Sequence, residues 1–263
     1  GRLCVGEWPN AVEAQSREGG VGRKAVGSNE VHNSGKYMVT GPHARAWLNR
    51  IMAGRIPKQG RLSLTPMLSH KGKLVGDFTV SWLSETAFQL TASYGAQAYH
   101  MRWFEQNEMD GVLVKNVSDR LTGFQLAGPK AREILQTCTR DDISDMAFMD
   151  VRPLTVGMVD CLVQRVSYTG DLGFEIFCDP MAQRALWQTL WEAGEPLGMR
   201  PFGMRAMMSL RLEKFFGSWL SEYSPDYTAA ETGLDRFIAF KKQEDFIGRA
   251  AAEHDKEVGP DRK

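Results

Sequence analysis

The chain has 263 residues, 43% of them hydrophobic, with Lys plus Arg and Asp plus Glu at 32 each. That length carries one large domain or two small ones around a buried core, and a net charge of zero excludes a general pull toward nucleic acid or anionic membranes. No apolar run suits a membrane span or a secretory signal, and four cysteines (Cys4, Cys138, Cys161, Cys178) and five scattered histidines show no metal-ligand spacing, so buried or free thiols in a reducing compartment and no bound metal are expected.

In chain order, Ser16 to Gly27 is rich in glycine and charge and is expected to be loop. Lys36 to Thr40 is a short strand, after which Gly41-Pro42 opens a helix to about Ala53. Ser63 to Ser69 and Lys73 to Leu83 form a hairpin through His70-Lys71-Gly72. Alternation in its second strand puts Leu74, Gly76, Phe78, Val80 and Trp82 on one face and Val75, Asp77, Thr79 and Ser81 on the other. Phe88 to Ala92 is a strand, Ala96 to Glu108 a helix, and Val112 to Val114 a strand.

The strand–Gly-Pro–helix device then returns. Phe124 to Ala127 leads into GPKAREIL at 128–135, to be compared with GPHARAWL at 41–48, which suggests two similar α+β units. Val159 to Ser167 and Gly173 to Cys178 are strands around a tight turn. Met181 to Gly194 is an amphipathic helix, and Pro201 starts the next, through Leu212. Residues 215–231 are aromatic and loop-like, Gly233 to Phe240 a last strand, Phe246 to Glu253 a last short helix, and 254–263 a charged tail. Strands and helices mix without a βαβ rhythm, so the class is α+β.

No dinucleotide fingerprint, Walker loop or nucleophile elbow is present, so the chain advertises no redox cofactor of its own. Four polar features remain. Asp77 interrupts an otherwise apolar strand and either faces water or is aimed at a ligand. Tyr168-Thr169-Gly170-Asp171-Leu172-Gly173-Phe174-Glu175 turns tightly and re-enters a strand with Glu175 between apolar residues. That carboxylate points outward or accepts two parallel N–H bonds from a heterocycle. Arg211, in an apolar helix beside Glu213, is a surface ion pair or a carboxylate fork. The aromatics Phe215, Phe216, Trp219, Tyr223 and Tyr227 are core or the walls of a flat-ring site.

Together these segments resemble the glycine-cleavage T-protein family, and most closely the folate-binding region at the end of dimethylglycine and sarcosine dehydrogenases. The resemblance rests on LTPMLSHKGKLVGDFTV at 64–80, AYHMRWF at 98–104, SYTGDLGFEIF at 167–177, PFGMRAMMSLRLEK at 201–214, LRLEKFFGSWLSEYSPDYTAAETGLDRF at 210–237 and DFIGRAA at 245–251. It implies a T-protein-like α+β cloverleaf with folate in a central channel. The folate-binding part would span 35–253 as two α+β lobes, after a poorly matched segment at 1–34 and before the tail at 254–263. The family's C-terminal barrel lobe is expected to be missing or truncated, because the chain ends near DFIGRAA.

The resemblance also implies roles. Glu175 stands where the family anchors the pterin, Tyr168 where it lines the ring, Asp77 where it places the acid beside the reactive folate nitrogens, and Arg211 where it has an arginine near the site whose partner would be a carboxylate of the substrate or of folate. The implied function is tetrahydrofolate-dependent capture of a one-carbon unit from an N-methyl amino acid, with 5,10-methylenetetrahydrofolate as product. The implied partners are a small-molecule methylamine substrate and a flavin amine dehydrogenase, without nucleic acid or membrane, in the cytoplasm or the mitochondrial matrix. The alternative is a non-catalytic folate-binding module, or an inactive truncated relative serving as an interaction protein.

Overall fold

A computed structural model describes residues 18–20, 24–31 and 33–260. Its elements, in chain order, are β1 (Gly27–Glu30), β2 (Ser34–Thr40), α1 (Ala44–Ile51), β3 (Leu62–Leu68), β4 (Leu74–Ser84), β5 (Ala87–Ser93), α2 (Gln97–Gln106), β6 (Leu113–Asn116), β7 (Thr122–Ala127), α3 (Ala131–Cys138), β8 (Val151–Val156), β9 (Val159–Gln164), β10 (Gly173–Cys178), α4 (Gln183–Gly194), β11 (Arg200–Pro201), α5 (Met204–Leu212) and α6 (Arg249–Val258). They divide into two compact units, each discontinuous in sequence.

One unit comprises 33–121, 149–152 and the described part of 217–263. Its sheet has the order β3-β4-β5-β2-β6, and the ladders are antiparallel throughout. Alternation puts Tyr37 and Val39 of β2, Phe78 and Val80 of β4, and Phe88 and Leu90 of β5 into one apolar cluster. Helix α1 covers it with Trp47, Leu48 and Ile51, and α2 with Phe104. The Phe104 ring meets Tyr37 and Trp47 edge-on at 5.3 and 5.5 Å. Truncating it to alanine would cost about 3–5 kcal/mol. The C-terminal stretch builds a second cluster from Leu68, Leu74, Tyr223, Leu234 and Phe246.

The other unit comprises 122–148, 153–216 and the described part of 1–32. Its sheet has the order β11-β1-β7-β10-β9-β8. The β1–β11 pair is parallel, and β7 runs antiparallel to both β1 and β10. Leu126, Val163, Phe174 and Ile176 point to one side, where Ile134 and Leu135 of α3 and Leu186 and Leu190 of α4 close the core. On the other side a smaller cluster of Phe202, Ala206, Met207 and Leu210 packs with Tyr168.

The repeated Gly-Pro device has one geometry in both places. Gly41 and Gly128 sit at φ 129° and 138°, a region costly for residues with a Cβ. Each glycine carbonyl accepts from the alanine that opens the following helix, Ala44 at 3.1 Å and Ala131 at 3.0 Å. Both helices have eight residues.

Several expectations are corrected. The last strand expected over Gly233–Phe240 is a 3-10 turn at Asp235–Phe237, because Gly233 turns at φ 71° and Leu234 drops into the second cluster. The last helix begins after Phe246, because Gly248 adopts the left-handed region, and it runs on into the expected tail. Pro201 belongs to β11, and the helix after it starts at Met204. Strands β1 and β8 were not anticipated. The loop expected at Ser16–Gly27 lies largely outside the described residues, as does Cys4. Both described sheets are open, and no described helix is long and apolar enough to cross a membrane.

Candidate functional site

In the unit built on β7 and β10, Glu175 is the central member of a cross-strand row. It faces Gln125 of β7 on one side and Gln164 of β9 on the other, and directly opposed residues on antiparallel strands share a face. Its neighbours Phe174 and Ile176 point the other way, into the core, which leaves Glu175 partly exposed on the opposite face. Gln125 and Gln164 are 1% and 0% exposed. Both amide atoms of Gln164, and Oε1 of Gln125, lack a hydrogen-bond partner among the described residues. An orphaned buried amide and a second with an unpaired oxygen, next to a carboxylate, are a costly arrangement. They make a donor–acceptor edge suited to a flat heterocycle.

The Tyr168 turn is tied to the same row. Gln125 Nε2 donates to Ser167 Oγ at 2.6 Å, and Ser167 Oγ lies 2.7 Å from Thr169 Oγ1. Gly170 closes the turn at φ 73° by donating to the Ser167 carbonyl, and Lys214 reaches Asp171 at 3.4 Å. Tyr168 is half-buried, and its ring stacks on Phe216 at 6.3 Å and 16°. Arg211 on α5 is 3% exposed, so it is not a surface ion pair. Its Nη1 donates to the Phe216 carbonyl at 2.8 Å and thereby also holds the residue on which Tyr168 stacks.

Asp77 lies in the other unit, on β4 opposite Pro66 of β3. It shares a face with Thr79 and Ser81, and their partners on β5 are Thr91 and Gln89. This is not the solvated face that a polar alternation suggests, since Ser81 and Gln89 are 0% and 2% exposed. Ser81 Oγ, Gln89 Nε2 and Thr91 Oγ1 have no partner among the described residues. Asp77 is partly exposed at its surface, yet burial of its carboxyl pushes the pKa up to about 6, against a smaller lowering by its own backbone N–H. The charge of Asp77 in turn helps raise the pKa of Tyr223, behind the larger effect of that phenol's burial. A carboxyl that titrates near neutrality can take up or release a proton at working pH.

Val75 departs from the expected alternation. It packs in the same apolar cluster as Phe78 and Val80, because the register of β4 on β3 slips beside it. Sequence reasoning also passed over Gln125, Gln164, Gln89 and His100. The first two carried the signal that drew attention to Glu175, a polar residue inside an apolar strand run.

Comparison with known proteins gives a consistent picture. The family of the GCVT N-terminal domain matches residues 7–242. The mitochondrial dimethylglycine dehydrogenase of Homo sapiens is 35% identical over 234 residues, which cover 87% of this chain and 27% of that protein. The aminomethyltransferase of Natranaerobius thermophilus is 32% identical over 243 residues, covering 91% of this chain and 67% of that one. Thus the chain spans about a quarter of the length of the one relative and about two thirds of the other. In fold it is similar to the glycine cleavage system aminomethyltransferase T of Bartonella henselae, with a TM-score of 0.84 at 23% identity over 94% of this chain and 67% of that chain.

Proposed function

The chain belongs to the family of the GCVT N-terminal domain, and from that premise we propose that it binds tetrahydrofolate and takes part in one-carbon transfer to it. The observation that carries this reading is the Gln125–Glu175–Gln164 row. A pterin presents an amino group and a ring N–H side by side, next to a carbonyl oxygen. Glu175 accepts from the two donors through charge-assisted bonds. The amide of Gln164, orphaned and directly opposite, supplies the donor for the carbonyl. Tyr168, stacked on Phe216, offers a flat aromatic surface.

When bound, tetrahydrofolate would supply the nucleophilic nitrogens that take up a carbon at the formaldehyde level, releasing amine or water, to give 5,10-methylenetetrahydrofolate. The chain orients reactants and manages protons. Asp77, titrating near 6, is ionised at neutral pH. It holds the incoming amine and accepts or returns a proton as the carbon is transferred. Arg211 secures the carbonyl of Phe216 and so keeps the Tyr168 stack in place. The likeness to dimethylglycine dehydrogenase favours an N-methyl amino acid as carbon source, with a flavin amine dehydrogenase as partner.

The test is calorimetric titration of the chain with tetrahydrofolate, followed by methylene transfer from formaldehyde, which is already at the oxidation level of the transferred carbon. Saturable binding that weakens in Glu175→Ala is expected. A wild-type chain with no affinity for tetrahydrofolate would overturn the reading.

A further inference from the structure

Strand β4 carries a bulge just before Asp77. Met67 of β3 pairs with Gly76, but its neighbour Leu68 pairs with Leu74, so Val75 is an extra residue on β4. Bulged residues leave the ladder, and they occur where a strand must re-aim a side chain. On its other edge β4 meets β5 only from Thr79 onward. Leu74 donates to the Tyr227 carbonyl at 2.9 Å, but from Val75 to Phe78 β4 pairs with no described strand on that side.

Helix α2 fills the gap with His100. Its Nε2 lies 3.1 Å from the Val75 carbonyl. A carbonyl only accepts, so Nε2 carries the hydrogen and donates it. Nδ1 is then an acceptor, and the Tyr37 hydroxyl donates to it at 3.0 Å. The ring is fully buried, and burial pushes its pKa down to about 4, which keeps this neutral tautomer in place at physiological pH. The imidazole also lies against the backbone at Gly76, where a Cβ would fall 2.6 Å from Nε2, and its ring centroid is 4.7 Å from that of Phe78. His100 thus touches the residues on both sides of Asp77.

We propose that His100 is a positioning residue for Asp77, holding the Val75 bulge so that the carboxylate faces the polar side of the sheet. The bulge lets Val75 and Phe78 both enter the apolar cluster. A regular strand would not do so, because residues an odd number apart lie on opposite faces. A slip of one residue would turn Asp77 toward that cluster. This assignment rests on the role of Asp77 in the proposed function, while its geometry stands apart from folate.

The experiment compares two variants of similar size. His100→Gln places an amide N–H near the position of Nε2 and restores the bond to Val75, whereas His100→Asn reaches only the position of Nδ1. In His100→Asn, kcat for methylene transfer is expected to fall about tenfold, as for a misplaced catalytic group, with the tetrahydrofolate dissociation constant unchanged. His100→Gln recovers most of that loss. Without folate, amide hydrogen exchange at Gly76, Asp77 and Phe78 should quicken in His100→Asn and stay slow in His100→Gln. Folded His100→Asn with wild-type kcat and wild-type exchange would overturn the proposal.

Should His100→Asn not fold, nitrogen NMR of the wild-type imidazole decides. A hydrogen held on Nε2 from pH 5 to pH 8 is the expected result, and a ring titrating at its ordinary value overturns it. If Asp77→Asn transfers as well as wild type, the catalytic role of Asp77 fails and the positioning role of His100 fails with it, whereas tetrahydrofolate binding is judged separately by calorimetry.

Discussion

Glu175 and Gln164 stand directly opposite each other on neighbouring antiparallel strands, a part-exposed carboxylate beside a fully buried amide with no hydrogen-bond partner among the described residues. A buried unsatisfied amide costs the chain about 1–3 kcal/mol. A ligand that satisfies it recovers that cost on binding. This makes the pair informative, because the two residues should respond to mutation in different ways.

Glu175→Ala should weaken tetrahydrofolate binding by about 1.5–3 kcal/mol, the range for hydrogen bonds to a charged group. Calorimetry checks it, and an unchanged dissociation constant removes Glu175 from the site.

Gln164→Leu should move stability and affinity in opposite directions. The free chain becomes more resistant to urea, because an orphaned amide is replaced by an apolar side chain of similar size, while affinity for tetrahydrofolate falls about fivefold or more. A variant that loses stability without losing affinity would show that Gln164 serves the fold alone.

Asp77→Asn should retain tetrahydrofolate affinity and lose about 10²-fold or more in transfer rate, the usual contribution of an acid–base group. In the wild-type chain the rate should fall as pH drops below about 6, where the carboxylate takes up its proton. That acid limb should be absent from the residual activity of the variant. A limb that persists would assign it to another group.

His100 should make the fold sensitive to acid. Its pKa is about 4 in the folded chain, against an ordinary 6.5. The unfolded chain therefore binds a proton first as pH falls, and this contribution to stability is lost between about 6.5 and 4. Asp77 acts in the opposite sense over part of that window, because its folded pKa is raised. The comparison that isolates the histidine is wild type against His100→Gln. Its stability difference should shift against wild type as pH falls from about 6.5 to about 4, as read by thermal unfolding. A pH-independent difference would contradict the buried neutral imidazole.

Lys242 should be costly to remove. Its ammonium donates to the carbonyls of Asn49, Met52 and Gly54 at 2.7, 2.6 and 3.3 Å and lies 4.8 Å from the Phe246 ring centroid. It ties the C-terminal stretch to the end of α1. Burial pushes its pKa down to about 8, but three carbonyl oxygens favour the charged form. Lys242→Met should destabilise this unit by about 1.5–3 kcal/mol, measured by hydrogen exchange in α1 and around Ile247. Unchanged protection would mean that the carbonyls find other donors.

Much of the fold was legible in the order of residues alone. Period-two alternation marks β10 and the Ser63–Leu83 hairpin to within a residue or so. The two Gly-Pro turns announce two like strand-to-helix units, because the backbone angles at Gly41 and Gly128 disfavour residues with a Cβ. Glu175 and Asp77 were visible as charges set among apolar strand residues, and the shared motifs suggested a family that the comparisons establish.

What local pattern could not decide is anything that depends on a neighbour distant in sequence. The strand expected at Gly233–Phe240 has suitable residues but no partner strand among the described residues, and it becomes a turn whose Leu234 is claimed by the second apolar cluster. The phase of β4 is set by a bulge that exists because Met67 and Leu68 pair out of step. Only pairing across the sheet brings Gln125 and Gln164 to the two sides of Glu175, and only α2 brings His100 to the strand that carries Asp77. Alternation and turn chemistry are written within a few consecutive residues, whereas register and burial are properties of segments that meet only once the chain has folded.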